Sequence, residues 1–418
     1  MPTHSTGKIG LVLAGGGITG ALYELGALRA IDDLLLDRTV NDFDIYVGTS
    51  AGAFVSTLLA NGESPENLLT AIEGSSKLVE PIQPHHLFGL NYSDLLQWSL
   101  GLPNKIFSAW WQYLLHLGDM TLFDLLWSFS SAIPAGLYDT MILERYTRQA
   151  LDTLGKTNQF QELSKELYII ATELDSGNRV VFGNGERGDV TISMAVAASS
   201  ALPLLYKPVR IGDSEYVDGS LRGNASLDLA IEHGATLIIC INPLVPYMGD
   251  VRFNRARKTK QPDYLSQQGI QAVANQALRI TSHAGLYYHI KQLRRAHPEV
   301  DIILIEPKSA NQEIFPENIM RYSARLSAGR LGFESVTVDL AEDYPYYKQL
   351  LARHNIPISR RLVIEEIREI QQSGYKIEVI RRVLEARSQN CGKARRDKPI
   401  CQLNRTLAEL ELALGNLD

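Results

Sequence analysis

Twice within the first 60 residues a short apolar run ends in a glycine-bearing turn and passes into residues with helical apolar spacing. Lys8–Ala14 ends in Gly15-Gly16-Gly17, and Ala21–Leu36 then carries apolar side chains at three- and four-residue intervals. Phe43–Val47 runs into Gly48-Thr49-Ser50-Ala51-Gly52, followed by a small-residue helix to about Ala60. Strand, tight turn and helix in immediate succession is the repeat of a sheet covered by helices, because parallel strands need a crossover between them. Further strands are expected at Glu166–Ala171, Arg179–Gly183, Val209–Val217, Thr236–Ile241 and Asp301–Ile305, with helical segments between several of them. The expected fold is therefore a three-layer α/β domain with a mainly parallel central sheet.

Composition narrows the function classes. With 45% hydrophobic and 21% charged residues, the 418-residue chain has the balance of a folded globular protein. A formal charge of −6 gives no global field to attract nucleic acid. Three cysteines, Cys240, Cys391 and Cys401, form neither a disulfide framework nor a CxxC zinc pattern. The first eight residues contain no apolar signal core, and the longest uncharged stretches, Ile45–Gly62 and Val190–Lys207, are too rich in Gly, Ser and Thr for a membrane span. These features predict a soluble protein of a reducing, cytoplasmic compartment.

Gly48–Gly52 is a GxSxG. A nucleophilic serine needs its hydroxyl at the tip of a strand-to-helix turn, where crowding favours flanking glycines and the following helix N-terminus favours negative charge. The pattern alone arises by chance in roughly one chain in six of this composition, so its placement between a strand and a helix carries the argument. Gly15–Gly20 also fits GxGxxG, but a dinucleotide site wants an acidic residue at the end of the second strand. Here Val47-Gly48-Thr49-Ser50 stands at that end, with Asp42 and Asp44 at the other. Consecutive glycines can instead turn backbone N–H groups towards a developing oxyanion. The base is less obvious. His233, His283, His289, His297 and His354 have no recognisable context, while Asp218 in Tyr216-Val217-Asp218-Gly219-Ser220 ends an expected strand. Asp-Gly is also a common turn, and Asp218 by itself reads as one.

Taken in order, Gly15–Gly20, Gly48–Gly52 and Asp218-Gly219-Ser220 resemble the patatin-like phospholipase family. That family carries a GGGxRG-type loop after its first strand, a GxSxG elbow and a DGA or DGG aspartate. The flanks Ala197–Pro203, Pro208–Gly212 and Glu232–Cys240 are also similar, so the resemblance covers roughly residues 8–245. Thr19 stands where the family usually has Arg or Lys, and Ser220 where it has Ala or Gly. The resemblance implies a serine esterase with a Ser–Asp dyad and no histidine. Ser50 would attack an ester carbonyl of a lipid, Asp218 would take its proton, and amides of Gly15, Gly16 and Gly17 would hold the oxyanion. Gly20, Gly48, Gly52 and Gly219 would support the turns, and no metal or other cofactor is implied. The substrates implied are phospholipids, lysophospholipids or related glycerolipids at a membrane or micelle surface, with peripheral membrane association. Acyl transfer by the same dyad and a catalytically silent lipid-binding module, the latter suggested by Thr19, stay open.

Two regions stand apart. All four tryptophans lie within about residues 85–137, with phenylalanines interleaved, which predicts a helical insertion serving either as core or as an acyl-chain lid. Residues 246–418 are expected to be mostly helical. They include a basic loop, Arg252–Lys260, readable as solvated surface or as a headgroup contact, and an amphipathic end, Leu403–Leu414. Docking of these C-terminal helices on the main domain and homo-oligomerisation through them are both compatible with the pattern.

Overall fold

A computed structural model describes residues 7–73, 83–92, 111, 135–247, 264–307, 320 and 322–385. In chain order its main elements are β1 (Lys8–Leu13), α1 (Gly17–Leu34), β2 (Ile45–Thr49), α2 (Ala51–Ala60), α3 (Pro65–Glu73), β3 (Gly136–Tyr138) and α4 (Met141–Thr153). Then come β4 (Glu166–Glu173), β5 (Arg179–Gly183), α5 (Ile192–Ser199), β6 (Leu204–Tyr206), β7 (Val209–Ile211), β8 (Ser214–Asp218), α6 (Leu227–Glu232) and β9 (Ala235–Ile241). The C-terminal part adds α7 (Ile270–Ala296), β10 (Asp301–Ile305), α8 (Arg325–Glu342), α9 (Tyr344–Arg353), α10 (Arg361–Gln372) and α11 (Ile377–Glu385).

Eight of the strands form one sheet in which β10, β9, β1, β2 and β4 run parallel; β5 and β8 pair antiparallel to β4, and β7 pairs antiparallel to β8 at the edge. The expected α/β architecture with a mostly parallel sheet is thus what the chain adopts. Side-chain alternation divides the core. Ile9, Leu11 and Leu13 of β1 point into a layer containing α1, α2, α5 and α8, while Val12 and Ala14 point into the opposite layer, with α6 and α7. Both faces are covered, which is why these strands read as unbroken apolar runs rather than as alternating ones.

Two sequence expectations need correction or placement. Val209–Val217 is a hairpin rather than one strand: β7 and β8 pair antiparallel across Gly212-Asp213, with Gly212 at φ 62°. That left-handed φ suits glycine and reverses the chain inside a segment whose hydrophobic pattern looks continuous. Most of the aromatic stretch, the basic loop Arg252–Lys260 and the segment Leu403–Leu414 lie outside the described residues. Among the described residues, no helix is long and apolar enough to cross a membrane.

The described elements beyond residue 245 pack into the same body. β10 extends the sheet beside β9, and α8 lies along α1 at backbone contact. A Cβ on Gly26 would stand 1.8 Å from the carbonyl oxygen of Gly329, and one on Gly332 would stand 2.0 Å from that of Tyr23. Nearly all of α1 from Thr19 to Leu34 is therefore buried, including Arg29, which pairs with Asp33 on its own helix and with Glu366 of α10 at 3.5 Å. The contact predicts a contrast. Gly26→Ala should lower stability by about 1–3 kcal/mol, because overpacking against fixed backbone outweighs the ~1 kcal/mol gain in helix propensity. Gly329→Ala meets only ordinary contacts, its nearest neighbour being Leu384 Cδ1 at 3.4 Å, and should be neutral or slightly stabilising. Urea unfolding of the two variants checks this, and equal effects would contradict the packing.

Candidate active site

The site is assembled by the pairing register of β4. Along Tyr168–Ile170 this strand is flanked by β2 and β5, and along Ala171–Thr172 by β8 and β5. Because β5 holds one edge throughout, β2 and β8 must share the other, end to end. β2 stops at Thr49, opposite Ile170; β8 stops at Asp218, opposite Ala171. The residue that follows β2 is Ser50, so nucleophile and carboxylate candidates separated by 168 positions meet at one point on one edge. The Ser50 hydroxyl donates to Asp218 Oδ2 at 2.6 Å.

Ser50 sits in an unusual backbone conformation, φ 54° and ψ −120°. A non-glycine residue there carries strain of about 1–3 kcal/mol, which surrounding contacts must offset. Gly52 allows the turn to press against the end of β1, where a Cβ would lie 2.5 Å from the Leu13 carbonyl oxygen. Ser199, at the end of α5, holds the turn from below: its hydroxyl accepts from the Ser50 amide at 2.8 Å and donates to the Ile170 carbonyl at 2.5 Å. Ser50 is 8% exposed, so its hydroxyl reaches the site only from the cavity above it.

Asp218 is almost wholly buried, and both of its carboxylate oxygens accept hydrogen bonds. Oδ2 takes the Ser50 hydroxyl; Oδ1 takes the Ser220 amide at 2.9 Å and the Ser220 hydroxyl at 2.7 Å. Burial pushes the carboxyl above the usual carboxylate range, and the hydrogen bonds from Ser50 and Ser220 pull in the other direction. Gly219 is needed for the approach of this turn, since a Cβ there would meet the Ile170 carbonyl oxygen at 2.2 Å.

The glycine loop closes the site from β1. Gly17, the first residue of α1, has φ 61°. A Cβ on Gly15 would lie 3.4 Å from Ser50 Cβ and 3.2 Å from Ser220 Cβ, so loop and dyad candidates are in direct contact distance. The Gly15 amide is already engaged, donating to Asn224 Oδ1 at 3.1 Å and to the Asn224 carbonyl at 3.4 Å. No described group accepts from the amides of Gly16 or Gly17, which leaves these two as the donors open to a ligand oxygen. Gly16 and Gly20 pack on Pro243, and Gly48 on Ala53 of α2. Thr19 is fully buried, and as a neutral side chain it supplies no positive charge to the loop.

Above the dyad candidates opens a cavity of about 130 Å³. Its walls include Ile18, Phe54, Leu143, Val196, Leu202 and Tyr206, and no Lys, Arg or His is among the described residues that line it. Among the described histidines, His233 stacks on Tyr168 at 4.3 Å, and His354 pairs with Asp301 at 2.7 Å. Residues that sequence reasoning did not assign a role are Ser199, the Ser220 hydroxyl and Asn224. Each lies close in sequence to a recognised motif, but only long-range contact reveals its partner.

Comparison with known proteins bears on this arrangement. The family model of the patatin-like phospholipases matches residues 11–231. A probable lipid hydrolase, 463L of Invertebrate iridescent virus 6, is 24% identical over 223 residues, 53% of this chain and 63% of the viral protein, so the chain spans less than two thirds of that relative. The crystal structure of VipD from Legionella pneumophila is similar at a TM-score of 0.37 and 17% identity, over 80% of this chain and 67% of VipD. The strand–glycine loop–helix, the serine elbow and the strand-end aspartate all fall within the matched residues: the chain belongs to the patatin-like phospholipase family.

Proposed function

We propose that this chain is a serine esterase that cleaves acyl esters of phospholipids, lysophospholipids or related glycerolipids at a lipid surface. The observation that carries the reading is the 2.6 Å contact between Ser50 Oγ and Asp218 Oδ2 at the floor of an apolar cavity. The cavity walls suit an acyl chain, and the lack of a basic side chain among their described residues leaves selection to the chain rather than to an anionic headgroup.

The chemistry follows from the geometry. Asp218 accepts the Ser50 proton as Oγ attacks the ester carbonyl carbon, and the carbonyl oxygen becomes an oxyanion facing the Gly16 and Gly17 amides. Preorganised donors of this kind are each worth about 10²–10³ in rate. Collapse of the tetrahedral species breaks the bond to the alcohol, which leaves with the proton held on Asp218. Water then gives its proton to Asp218 and attacks the acyl-serine, and the fatty acid departs as Ser50 regains its hydroxyl. An aspartate at its ordinary pKa is a weak base for an alcohol, so the burial that raises the Asp218 pKa favours the first step.

Two outcomes test the reading. Mass spectrometry of mixed-lipid vesicles should find free fatty acid after incubation with the wild-type protein and none above background with Ser50→Ala or Asp218→Asn, both folded by circular dichroism. Products carrying the acyl group on an added alcohol, in place of free acid, would mean transfer instead of hydrolysis. The second outcome concerns pH. Asp218 must be ionised to accept a proton, so kcat/KM for a soluble ester should rise with pH through a midpoint above about 3.9, the ordinary aspartate value. The Ser220 hydroxyl favours the ionised form; removing it favours the acid form and raises the pKa. Ser220→Ala should therefore move this limb to higher pH, and a limb that stays put or moves down would contradict the assignment.

A further inference from the structure

The glycine loop is tied to the C-terminal region by a chain of side-chain hydrogen bonds that the proposed chemistry has not yet used. It begins at the Gly15 amide, which donates to Asn224 Oδ1 at 3.1 Å. Asn224 Nδ2 donates to Asn242 Oδ1 at 2.8 Å, and Asn242 Nδ2 donates to Glu306 Oε1 at 2.6 Å. Asn242 Oδ1 also accepts from the Leu244 amide at 3.1 Å. On the outer side, Glu306 Oε2 accepts from the Tyr287 hydroxyl at 3.1 Å, and His283 Nε2 of α7 lies 3.5 Å away. Asn224 and Asn242 are 3% and 0% exposed, so neither can exchange these partners for water.

The chain has a fixed polarity, held on one side by the Gly15 and Leu244 amides, which can only donate, and at the far end by Glu306. A carboxylate can only accept, so it turns the Asn242 NH2 group towards itself and the Asn242 oxygen towards Asn224. Asn224 must then present its NH2 to Asn242 and its oxygen to Gly15. Reversal of Asn224 would set donor against donor at the Gly15 amide, and reversal of Asn242 would do so at Asn224 and the Leu244 amide; either leaves a buried polar group unpaired, at a cost of about 1–3 kcal/mol. Glu306 lies one residue past β10, and Asn242 one residue past β9. Residues outside the segment that matches the family model thereby reach the catalytic loop.

We propose that Asn224, Asn242 and Glu306 are positioning residues: the Glu306 carboxylate orients the two buried amides, which hold the Gly15 peptide so that the Gly16 and Gly17 amides face the acyl oxygen. This rests on the esterase reading for its kinetic consequence but not for its structural one. A loop that loses its register should lose transition-state stabilisation while ground-state binding in the apolar cavity persists. A misplacement of this kind costs on the order of 10- to 100-fold in rate.

The test compares Glu306→Met, which removes the acceptor, with Glu306→Gln, whose amide oxygen can still accept from Asn242 while its NH2 faces the Tyr287 hydroxyl. With a soluble ester, Glu306→Met should lower kcat by on the order of 10-fold or more with KM within about twofold, and Glu306→Gln should stay near wild type. In parallel, amide hydrogen exchange over residues 13–17 should quicken in Glu306→Met and not in Glu306→Gln. This readout needs no activity, so it separates a failure of the network from a failure of the esterase reading. Should the Met variant fail to fold, Tyr287→Phe, a change at a half-exposed tyrosine, should give a smaller shift of the same two readouts. A folded Met variant with wild-type kcat and wild-type exchange would overturn the proposal, as would a Gln variant impaired as much as the Met variant.

Discussion

Everything at the site depends on a handover on one edge of β4. β2 occupies that edge as far as Ile170, and β8 takes it over at Ala171, running the opposite way. Two strand ends therefore face each other across a single residue step, and whatever follows β2 meets whatever ends β8. The hydrogen-bond ladder fixes this meeting more tightly than any loop could, because a shift of one residue would turn every side chain of a buried strand to the wrong layer. The strained Ser50 turn and the buried Asp218 carboxylate are both tolerated because the ladders on either side are not free to relax.

The supporting contacts serve that placement. Ser199 bridges the Ser50 amide to the Ile170 carbonyl, so the elbow is fastened to the same residue at which β2 ends. Ser220 fastens the other partner, with two donors on the carboxylate oxygen that Ser50 does not use. Burial and hydrogen bonding act on Asp218 in opposite senses, and burial is the larger influence, so the group is a stronger base than an exposed aspartate. The α1–α8 contact, in which glycines bring two helices to backbone distance, keeps the first helix of the loop immobile from behind.

Much of this was legible in the sequence, and the rest was hidden for definite reasons. The apolar runs of β1, β4 and β10 and the small-residue helix after Ser50 are local signals, and they appear close to where they were expected. In sequence the β7–β8 hairpin looks like one strand because Gly212-Asp213 interrupts the pattern for only two residues. The role of the Ser220 hydroxyl was hidden, since its partner, Asp218 Oδ1, is defined by the turn and not by composition. Asn224, Asn242 and Glu306 carry no periodic or motif signal at all. Their link is made between elements up to 209 positions apart, and the donor–acceptor logic that orders them exists only once the sheet has formed.

The central claim is that Ser50 becomes acylated and that Asp218 is the base which makes this happen. Rapid mixing with an activated soluble ester, followed by acid quench and peptide mass spectrometry, measures it most directly. The account predicts a transient acyl adduct on the peptide containing Ser50 in the wild-type protein, and a far slower or absent adduct in folded Asp218→Asn. An acyl group on a different residue, or an Asp218→Asn protein that acylates at the wild-type rate, would contradict it.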